Sequence, residues 1–134
     1  MIKVIMVDDH VAVRRGLEKI LEQEPDMELV EEAISGAEFI GLLEEMGEEE
    51  YDVVVLDITL PDRSGLEVLK DVKAMYPGLP VLILSIHSEE QYAQKARESG
   101  AAGYLTKYRA GDEVADAIRK VASGGEYFGR SPIT

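Results

Sequence analysis

The sequence predicts an α/β fold, namely a doubly wound, mainly parallel sheet with helices on both faces. Continuous apolar runs without polar alternation, such as residues 53–56, are typical of strands buried on both faces of a sheet. About five such runs alternate with about five segments of helical periodicity, and the short crossovers favour a parallel sheet. The length of 134 residues predicts one domain and is sufficient to bury a substantial core.

Each predicted strand is a run of apolar residues bounded by a turn or by a charged residue. The five runs cover residues 2–7, 27–33, 53–56, 81–84 and 104–105. The second run gives the weakest strand signal. The third is the most uniformly apolar, and it ends in the carboxylate of Asp57 shortly before Pro61 breaks the chain. Ligands of open α/β sheets bind at this end of the strands, so Asp57 is a candidate functional residue.

Apolar residues that recur three and four positions apart predict five helices. The helices start near Val11, Ser35, Leu66, Ser88 and Asp112 and end before Pro25, Gly47, Pro77, Gly100 and Gly124. Asp9 is a candidate cap of the first helix. Glutamates crowd the C-terminal end of the second helix, where negative charge opposes the helix dipole. Residues 47–50 are therefore expected to form a frayed, solvated loop.

The composition excludes several classes of function. The net charge of −13 argues against nucleic-acid binding by this segment, because phosphate contacts need clusters of Lys and Arg. The chain contains no cysteine, which excludes disulfides and thiolate metal sites. No apolar run approaches the roughly 20 residues of a membrane span, and the first strand is too short and too soon acidic for a signal peptide. We therefore expect a cytoplasmic domain without membrane contact.

Four predicted strands end in groups that suit phosphoryl transfer. Asp8 and Asp9 follow the first strand, and Asp57, Ser85 and Lys107 follow the third, fourth and fifth. Two like charges about 4 Å apart cost roughly 4 kcal/mol at an effective dielectric near 20, so the carboxylates need a cation or a proton. Mg²⁺, or Mn²⁺ in its place, fits such carboxylates together with a phosphate. The residues predict Asp57 as a phosphoryl acceptor and the aspartate pair as metal ligands.

Each of these groups also has a purely structural explanation when it is taken alone. Asp9 could cap a helix, Ser85 could cap the next helix, and Lys107 could be solvated. Asp57 could begin a turn, and Asp62 is expected to be a turn residue only. The functional hypothesis depends on the whole set, because clustered charges in α/β clefts are functional more often than structural.

These motifs resemble the receiver domains of two-component response regulators, over residues 3 to about 127. The resemblance is carried by the Asp8-Asp9 pair, by Leu56-Asp57 followed by residues 60–65, by Ser85, and by residues 103–107. It implies a flavodoxin-like (CheY-like) sheet with strand order 2-1-3-4-5. It also implies that the phosphohistidine of a sensor histidine kinase donates to Asp57, with Mg²⁺ required.

The same resemblance implies roles for further residues. Asp57 and the backbone carbonyl of Thr59 would bind the metal together with Asp8 and Asp9. Ser85 would bind the phosphoryl group, and Tyr104 would then change rotamer. The helix over residues 88–99 is poor in apolar residues, so it is the element expected to move. Two positions depart from the common pattern: Tyr108 stands where many receivers have a proline, and Ser85 replaces the commoner threonine.

Two segments resemble the LuxR/NarL type of transcriptional regulator. They are Asp9-His10 before residues 13–17, and residues 124–128 near the end. The resemblance implies a receiver over residues 1–125 and the start of a linker over residues 126–134, followed by a helix-turn-helix domain through which DNA would be bound. It further implies homodimer formation on phosphorylation. The alternative is a stand-alone receiver that acts only through protein contacts.

Other functions fit the sequence less well. A phosphatase of the haloacid-dehalogenase type needs a second aspartate two residues after the nucleophile, and this chain has Thr59 there. A dinucleotide-binding module needs a glycine-rich turn after the first strand, which residues 8–11 do not provide. A pseudo-receiver is disfavoured because every acceptor-site group is present. We therefore expect a signalling domain, whose only chemistry is its own Mg²⁺-dependent phosphorylation and dephosphorylation, rather than an enzyme.

Overall fold

A five-stranded parallel sheet with helices on both faces is the framework of the computed structural model, which describes residues 1–128. The strands are β1 (Ile2–Val7), β2 (Met27–Ala33), β3 (Val53–Asp57), β4 (Val81–Ser85) and β5 (Gly103–Thr106). The helices are α1 (Val11–Glu22), α2 (Gly36–Met46), α3 (Gly65–Met75), α4 (Glu89–Glu98) and α5 (Ala110–Ala122). The strands lie in the order β2-β1-β3-β4-β5, which confirms the predicted fold class and strand order.

The central strand β3 separates two apolar layers. Val53 and Val55 pack with α1 and α5, whereas Val54 and Leu56 pack with α2, α3 and α4. Successive residues of a strand point to opposite faces, so a strand covered on both sides needs an uninterrupted apolar run. Each such valine or leucine contributes about 1.5–3 kcal/mol by its burial. This burial holds Asp57, the last residue of the strand, in a fixed position.

The start of α1 differs from the prediction, since Asp9 does not cap this helix. The capping position belongs to His10, whose side chain makes no capping hydrogen bond within residues 1–128. Asp8 instead accepts a hydrogen bond from the His10 amide at 2.8 Å, which forms a local turn of the kind that aspartate favours. The turn leaves the Asp9 carboxylate available at the sheet edge.

Two other boundaries were predicted wrongly. Residues 47–50 do not form a frayed loop, because Gly47 has a φ of 84° and the chain then forms a 3₁₀ helix at Glu48–Glu50. A left-handed glycine after a helix reverses the chain without steric cost. The last helix begins at Ala110 rather than at Asp112, which lies in its first turn. An acidic residue in the first turn of a helix is favourable because it interacts with the positive end of the helix dipole. The same interaction made Asp112 plausible as the start of the helix.

Asp62 is more than a turn residue, which corrects the prediction. Its two carboxylate oxygens accept hydrogen bonds from the backbone amides of Gly36 and Ala37, both at 2.9 Å. These amides lie in the first turn of α2, where backbone donors lack partners within the helix. The same two hydrogen bonds lower the pKa of Asp62. The loop that follows β3 is thereby tied to the start of a neighbouring helix.

The chain after α5 packs on the edge of the sheet instead of leaving it. Tyr127 donates its amide hydrogen to the carbonyl oxygen of Ala102 and accepts from the amide of Tyr104, both at 2.9 Å. The side chain of Phe128 lies 4.2 Å from the guanidinium of Arg97. The first residues of the predicted linker over 126–134 thus pack on the sheet, and the boundary of the linker stays a prediction. The rest of the predicted linker, residues 129–134, lies outside the described residues.

No helix within residues 1–128 is long and apolar enough to cross a membrane.

Candidate functional site

Two buried carboxylates meet at the C-terminal ends of adjacent strands. Val7 pairs with Leu56 where β1 and β3 run side by side, so the next residues, Asp8 and Asp57, reach the same edge. Each is only 2% exposed. A carboxylate removed from water needs a nearby cation, a proton or several hydrogen-bond donors. Two predicted site residues, Asp8 and Asp57, are therefore brought together where their negative charges must be balanced by a cation, a proton or hydrogen-bond donors.

Lys107 supplies the positive charge of this edge. Its Nζ atom lies 3.0 Å from Asp8 Oδ2 and 3.3 Å from Asp57 Oδ2. The backbone of Lys107 is fixed by a hydrogen bond from its amide to the carbonyl oxygen of Ser85, at 2.8 Å. The side chain thus reaches from the end of β5 to the carboxylates that follow β1 and β3.

The imidazole of His10 lies in the middle of the acidic group, which the sequence analysis did not predict. Its Nδ1 atom is 2.8 Å from Asp8 Oδ1, 3.4 Å from Asp9 Oδ1 and 3.6 Å from Asp57 Oδ2. The same nitrogen is 3.3 Å from Lys107 Nζ. A histidine directly after two aspartates at a strand end is the sequence signal that could have identified it.

Burial of Asp57 raises the pKa of its carboxyl group, and the negative charge of Asp8 raises it further. Two interactions oppose this increase. The amide of Thr59 donates a hydrogen bond to Asp57 Oδ1 at 3.1 Å, and Lys107 attracts Oδ2. Because the increase prevails, one lysine does not fully compensate the carboxylates. The site retains a capacity to attract further positive charge.

The residues present fit a divalent cation. Asp8, Asp9, His10 and Asp57 each offer one ligand atom, and these four atoms lie within 4.8 Å of one another. Asp8 Oδ2 is buried and accepts no hydrogen bond from residues 1–128, although it forms an ion pair with Lys107. Carboxylate oxygens of this kind are the ligands that Mg²⁺ prefers. Thr59 contacts Asp57 through its amide, and this contact does not test whether its carbonyl binds a metal. The metal-binding role of the Thr59 carbonyl therefore stays a prediction.

Ser85 and Tyr104 both bind the loop that connects β4 to α4. Ser85 is fully buried, and its Oγ atom accepts a hydrogen bond from the amide of His87 at 3.0 Å. The hydroxyl of Tyr104 donates to the carbonyl oxygen of His87 at 2.8 Å. Ser85 is not the cap of α4, because Ser88 occupies that position. The predicted switch residues are therefore linked through the backbone of one residue, His87.

Tyr104 already lies inside the protein. Its ring is 0% exposed and packs in the layer formed with α2, α3 and α4. Any change of rotamer at Tyr104 would therefore start from a buried position.

Gly65 is required by the packing behind Asp57. A Cβ atom at this position would lie 2.1 Å from the carbonyl oxygen of Asp57 and 2.7 Å from the Cα atom of Ile58. The amide of Gly65 also donates a hydrogen bond to the carbonyl oxygen of Ile58 at 2.6 Å. The sequence analysis used Gly65 only as part of a motif, whereas in the structure its lack of a side chain lets it pack against the backbone of Asp57 and Ile58.

The position where many receivers have a proline is occupied by the strongly exposed Tyr108, and every peptide bond within residues 1–128 is trans.

Comparison with known proteins shows which family the chain belongs to. A family profile described as the response regulator receiver domain matches residues 4–119. The transcriptional regulatory protein DegU of Brevibacillus brevis is 36% identical over 127 residues, which are 95% of this chain and 52% of that protein. The transcriptional regulatory protein UhpA of Escherichia coli is 38% identical over 128 residues, which are 96% of this chain and 62% of that protein. The chain thus spans about half to three-fifths of the length of these curated relatives.

Solved structures give the same relationship. A two-component response regulator of the LuxR family from Aurantimonas is 32% identical with a TM-score of 0.86, and the match covers 94% of this chain and 88% of that one. The receiver domain of NarL from Mycobacterium tuberculosis is 30% identical with a TM-score of 0.82, and the match covers 92% and 97% of the two chains.

Proposed function

The chain belongs to the response regulator receiver family, and we propose that it accepts a phosphoryl group on Asp57. The observation that carries the proposal is the position of this carboxylate. It is buried at the C-terminal end of the central strand, with Lys107 3.3 Å away and Asp8 at the end of the neighbouring strand. An aspartate that is rigidly held, partly compensated and next to a cation site is suited to receive a phosphoryl group.

The donor in this proposal is the phosphohistidine of a sensor histidine kinase. The bond between phosphorus and the histidine nitrogen breaks, and a bond between phosphorus and a carboxylate oxygen of Asp57 forms. Asp8, Asp9 and Asp57, together with the Thr59 carbonyl, would hold Mg²⁺ or Mn²⁺, which would neutralise charge on the phosphoryl oxygens. Lys107, whose Nζ atom lies 3.3 Å from Asp57 Oδ2, supplies a second positive charge. The chemistry of the chain is limited to gaining and losing this group.

The conformational response would start at Ser85. Its hydroxyl accepts a hydrogen bond from His87 and still has its own hydrogen to donate to a phosphoryl oxygen. A shift of Ser85 would pull on the His87 backbone, which also binds the Tyr104 hydroxyl. Helix α4 follows this loop directly, and Ala96 is its only fully buried residue among those described. Few buried contacts make this helix the element that changes position most easily.

The output we propose is control of transcription. The two curated relatives are transcriptional regulators and extend well beyond the length of this chain. We propose that DNA is bound by a C-terminal helix-turn-helix domain, that phosphorylation promotes homodimer formation, and that the protein works in the cytoplasm. The coding sequence downstream of residue 134 tests the output directly, because a stand-alone receiver would have no DNA-binding domain there.

Phosphorylation of Asp57 is tested by intact-mass measurement after incubation with acetyl phosphate and Mg²⁺, and separately with a cognate kinase. The wild-type chain should gain the mass of one phosphoryl group. Asp57→Asn should gain none, and Asp116→Asn, a change of an exposed carboxylate on α5, should behave like wild type. An unmodified wild-type chain under both donors, or a modified Asp57→Asn chain, would contradict the proposal.

A further inference from the structure

The residues that follow α5 lie along the edge of β5 and contact both faces of the sheet. Tyr127 pairs in parallel with Gly103, the first residue of β5. Its amide donates to the carbonyl oxygen of Ala102, and its own carbonyl oxygen accepts from the amide of Tyr104, both at 2.9 Å. Successive side chains of a strand point to opposite faces. Tyr127 accordingly packs with the apolar layer of α1 and α5, whereas Phe128 packs with the layer of α2, α3 and α4.

The start of β5 is shaped for this contact. A Cβ atom at Gly103 would lie 2.5 Å from the carbonyl oxygen of Tyr127 and 2.8 Å from Leu82 Cδ1. Glycine permits such a close approach of two backbone segments, and a residue with a side chain does not. The pairing of Tyr127 therefore depends on the glycine at this position.

Tyr127 is also bound to α5. Its hydroxyl donates a hydrogen bond to Glu113 Oε1 at 2.5 Å. Glu113 is a buried residue in the first turn of α5, and its other carboxylate oxygen lies 2.7 Å from Arg109 Nε. Helix α5 contributes several buried apolar residues to the core, among them Val114 and Ile118. Tyr127 is thus fixed to two elements that are firmly packed.

The residues on either side of Tyr127 are bound to α4 instead, through one side chain. The guanidinium of Arg97 lies 4.2 Å from the centre of the Phe128 ring, and its Nη2 atom lies 3.9 Å from Glu126 Oε1. Half of the Arg97 side chain is exposed, so both contacts are of the weak surface type that breaks at small cost. The two ends of this short segment therefore depend on where α4 lies.

We propose that residues 126–128 form a latch, which couples the position of α4 to the chain that continues after residue 128. Tyr127 is the fixed point of the latch, because it is bound to β5 and α5. Arg97 is the releasable contact, because it is carried by α4. The inference rests on the proposed function, in which phosphorylation of Asp57 changes the position of α4. Movement of α4 would withdraw Arg97, release the ring of Phe128 and change the direction in which the chain leaves the domain.

The coupling would act in the reverse direction as well, because linkage between two sites is reciprocal. Contacts that α4 makes only in its unphosphorylated position stabilise that position. Loss of one exposed cation–π contact and one exposed ion pair shifts an equilibrium by about two- to fivefold. A chain without these contacts would therefore reach the phosphorylated arrangement more easily than wild type.

The competing explanation is that residues 126–128 only cover the edge of the sheet. Under that explanation the ring of Phe128 would keep its surroundings when Asp57 is phosphorylated. Removal of the Arg97 contacts would lower stability without changing how the acceptor site responds. The two explanations thus differ in the behaviour of one ring and in the effect of one arginine.

NMR spectra of the full chain with labelled phenylalanine rings test the release directly. Beryllofluoride with Mg²⁺ is the probe, because it binds an aspartate as an analogue of a phosphoryl group. The chain has two phenylalanines, and the fully buried Phe39 is the internal reference. We expect the ring signals of Phe128 to shift toward those of a solvent-exposed ring, while those of Phe39 change little. The amides of Tyr104 and Tyr127 should keep their slow hydrogen exchange, because the fixed point stays in place.

Variants of the releasable contact test the reverse coupling. Arg97→Gln removes both contacts with α4, and Phe128→Ala removes one of them from the other side. Each should lower the beryllofluoride concentration needed for half-saturation, by up to about two- to fivefold. Lys95→Gln is the matched control, since Lys95 lies on the same helix with its Nζ atom over the ring of Tyr92, and it should leave this concentration unchanged.

Three results would overturn the inference. Unchanged Phe128 signals in a chain saturated with beryllofluoride would show that the ring is not released. Equal half-saturation in wild type, Arg97→Gln and Phe128→Ala would show that the latch does not restrain α4, and fast exchange of the Tyr127 amide would remove its fixed point. Failure of the proposed function differs from all three, because wild type would then bind no beryllofluoride and gain no mass with acetyl phosphate, and the inference would fall with it.

Discussion

Replacing Lys107 by methionine tests the charge balance of the site most directly. Methionine keeps much of the length and apolar character of the side chain and removes its charge. The lysine nitrogen lies 3.0 Å from Asp8 and 3.3 Å from Asp57. At an effective dielectric near 20 each of these pairs has an attraction of about 5 kcal/mol, much of which is offset by the cost of desolvating the lysine.

The net loss is set by the two carboxylates that remain buried without their partner. Removing one member of a buried ion pair costs about 3–5 kcal/mol, and uptake of a proton by one carboxylate reduces this. We expect the free energy of unfolding of Lys107→Met to be about 3 kcal/mol lower than that of wild type without magnesium. For a chain of this length, that corresponds to a melting temperature lower by about 10 °C.

Magnesium should restore most of this stability. A divalent cation bound by Asp8, Asp9 and Asp57 supplies the charge that the variant lacks. It should therefore stabilise Lys107→Met more than it stabilises wild type. Urea unfolding followed by circular dichroism, with and without about 10 mM MgCl₂, gives the four free energies needed. Lys19→Met, a change of an exposed lysine on α1, is the control and should show no such coupling.

Two results would refute this reasoning. If Lys107→Met were as stable as wild type in the absence of magnesium, the lysine would not be compensating the carboxylates. If magnesium stabilised both proteins equally, the cation and the lysine would not act on the same charges.

Three further changes have defined expectations. Gly65→Ala should lower the free energy of unfolding by about 2–3 kcal/mol in urea titrations and should slow phosphorylation, because the added methyl group would push the Asp57 backbone out of place. A variant as stable as wild type and phosphorylated at the same rate would contradict this expectation. Asp57→Asn should raise the melting temperature without magnesium, because ionised Asp57 is disfavoured by burial and by Asp8; a lower melting temperature would show that this cost is absent. Asp62→Asn should lower stability at neutral pH, since its folded pKa is depressed by the α2 amides. That contribution is complete above the unfolded pKa of about 3.9 and disappears as the pH falls through the folded pKa, so wild type and Asp62→Asn should converge in acid melting curves and diverge at neutral pH.

The apolar runs and helical periodicities were sufficient to predict the elements of this fold. Strands such as β3 can be recognised from the local sequence, because burial on both faces demands consecutive apolar residues. The strand order came from the family resemblance, and it matches the structure. Convergence of Asp8, Asp57 and Lys107 at one edge followed from their positions after predicted parallel strands, and the structure places them in one cluster.

Features that depend on partners distant in sequence were missed. Asp62 accepts hydrogen bonds from the first amides of a helix that lie 25 and 26 positions earlier, and no local pattern reveals such a contact. His10 was used only as a mark of the family, because its place among the carboxylates depends on the turn that Asp8 makes. The metal-binding role of the Thr59 carbonyl and the switching roles of Ser85 and Tyr104 stay predictions, which the phosphorylated protein with its metal would test.

The pairing of Tyr127 with the last strand has a consequence for how the protein avoids association. An uncovered edge strand offers a row of backbone donors and acceptors on which another chain can form a new strand. At one edge, β2 carries Glu28, Glu31 and Glu32, whose charges discourage such growth. At the other edge, Tyr127 pairs with Gly103, the first residue of β5. A chain cut after residue 125, where the sequence suggests that the domain ends, would retain every residue of the candidate site but would expose the first backbone groups of β5 to pairing with another chain.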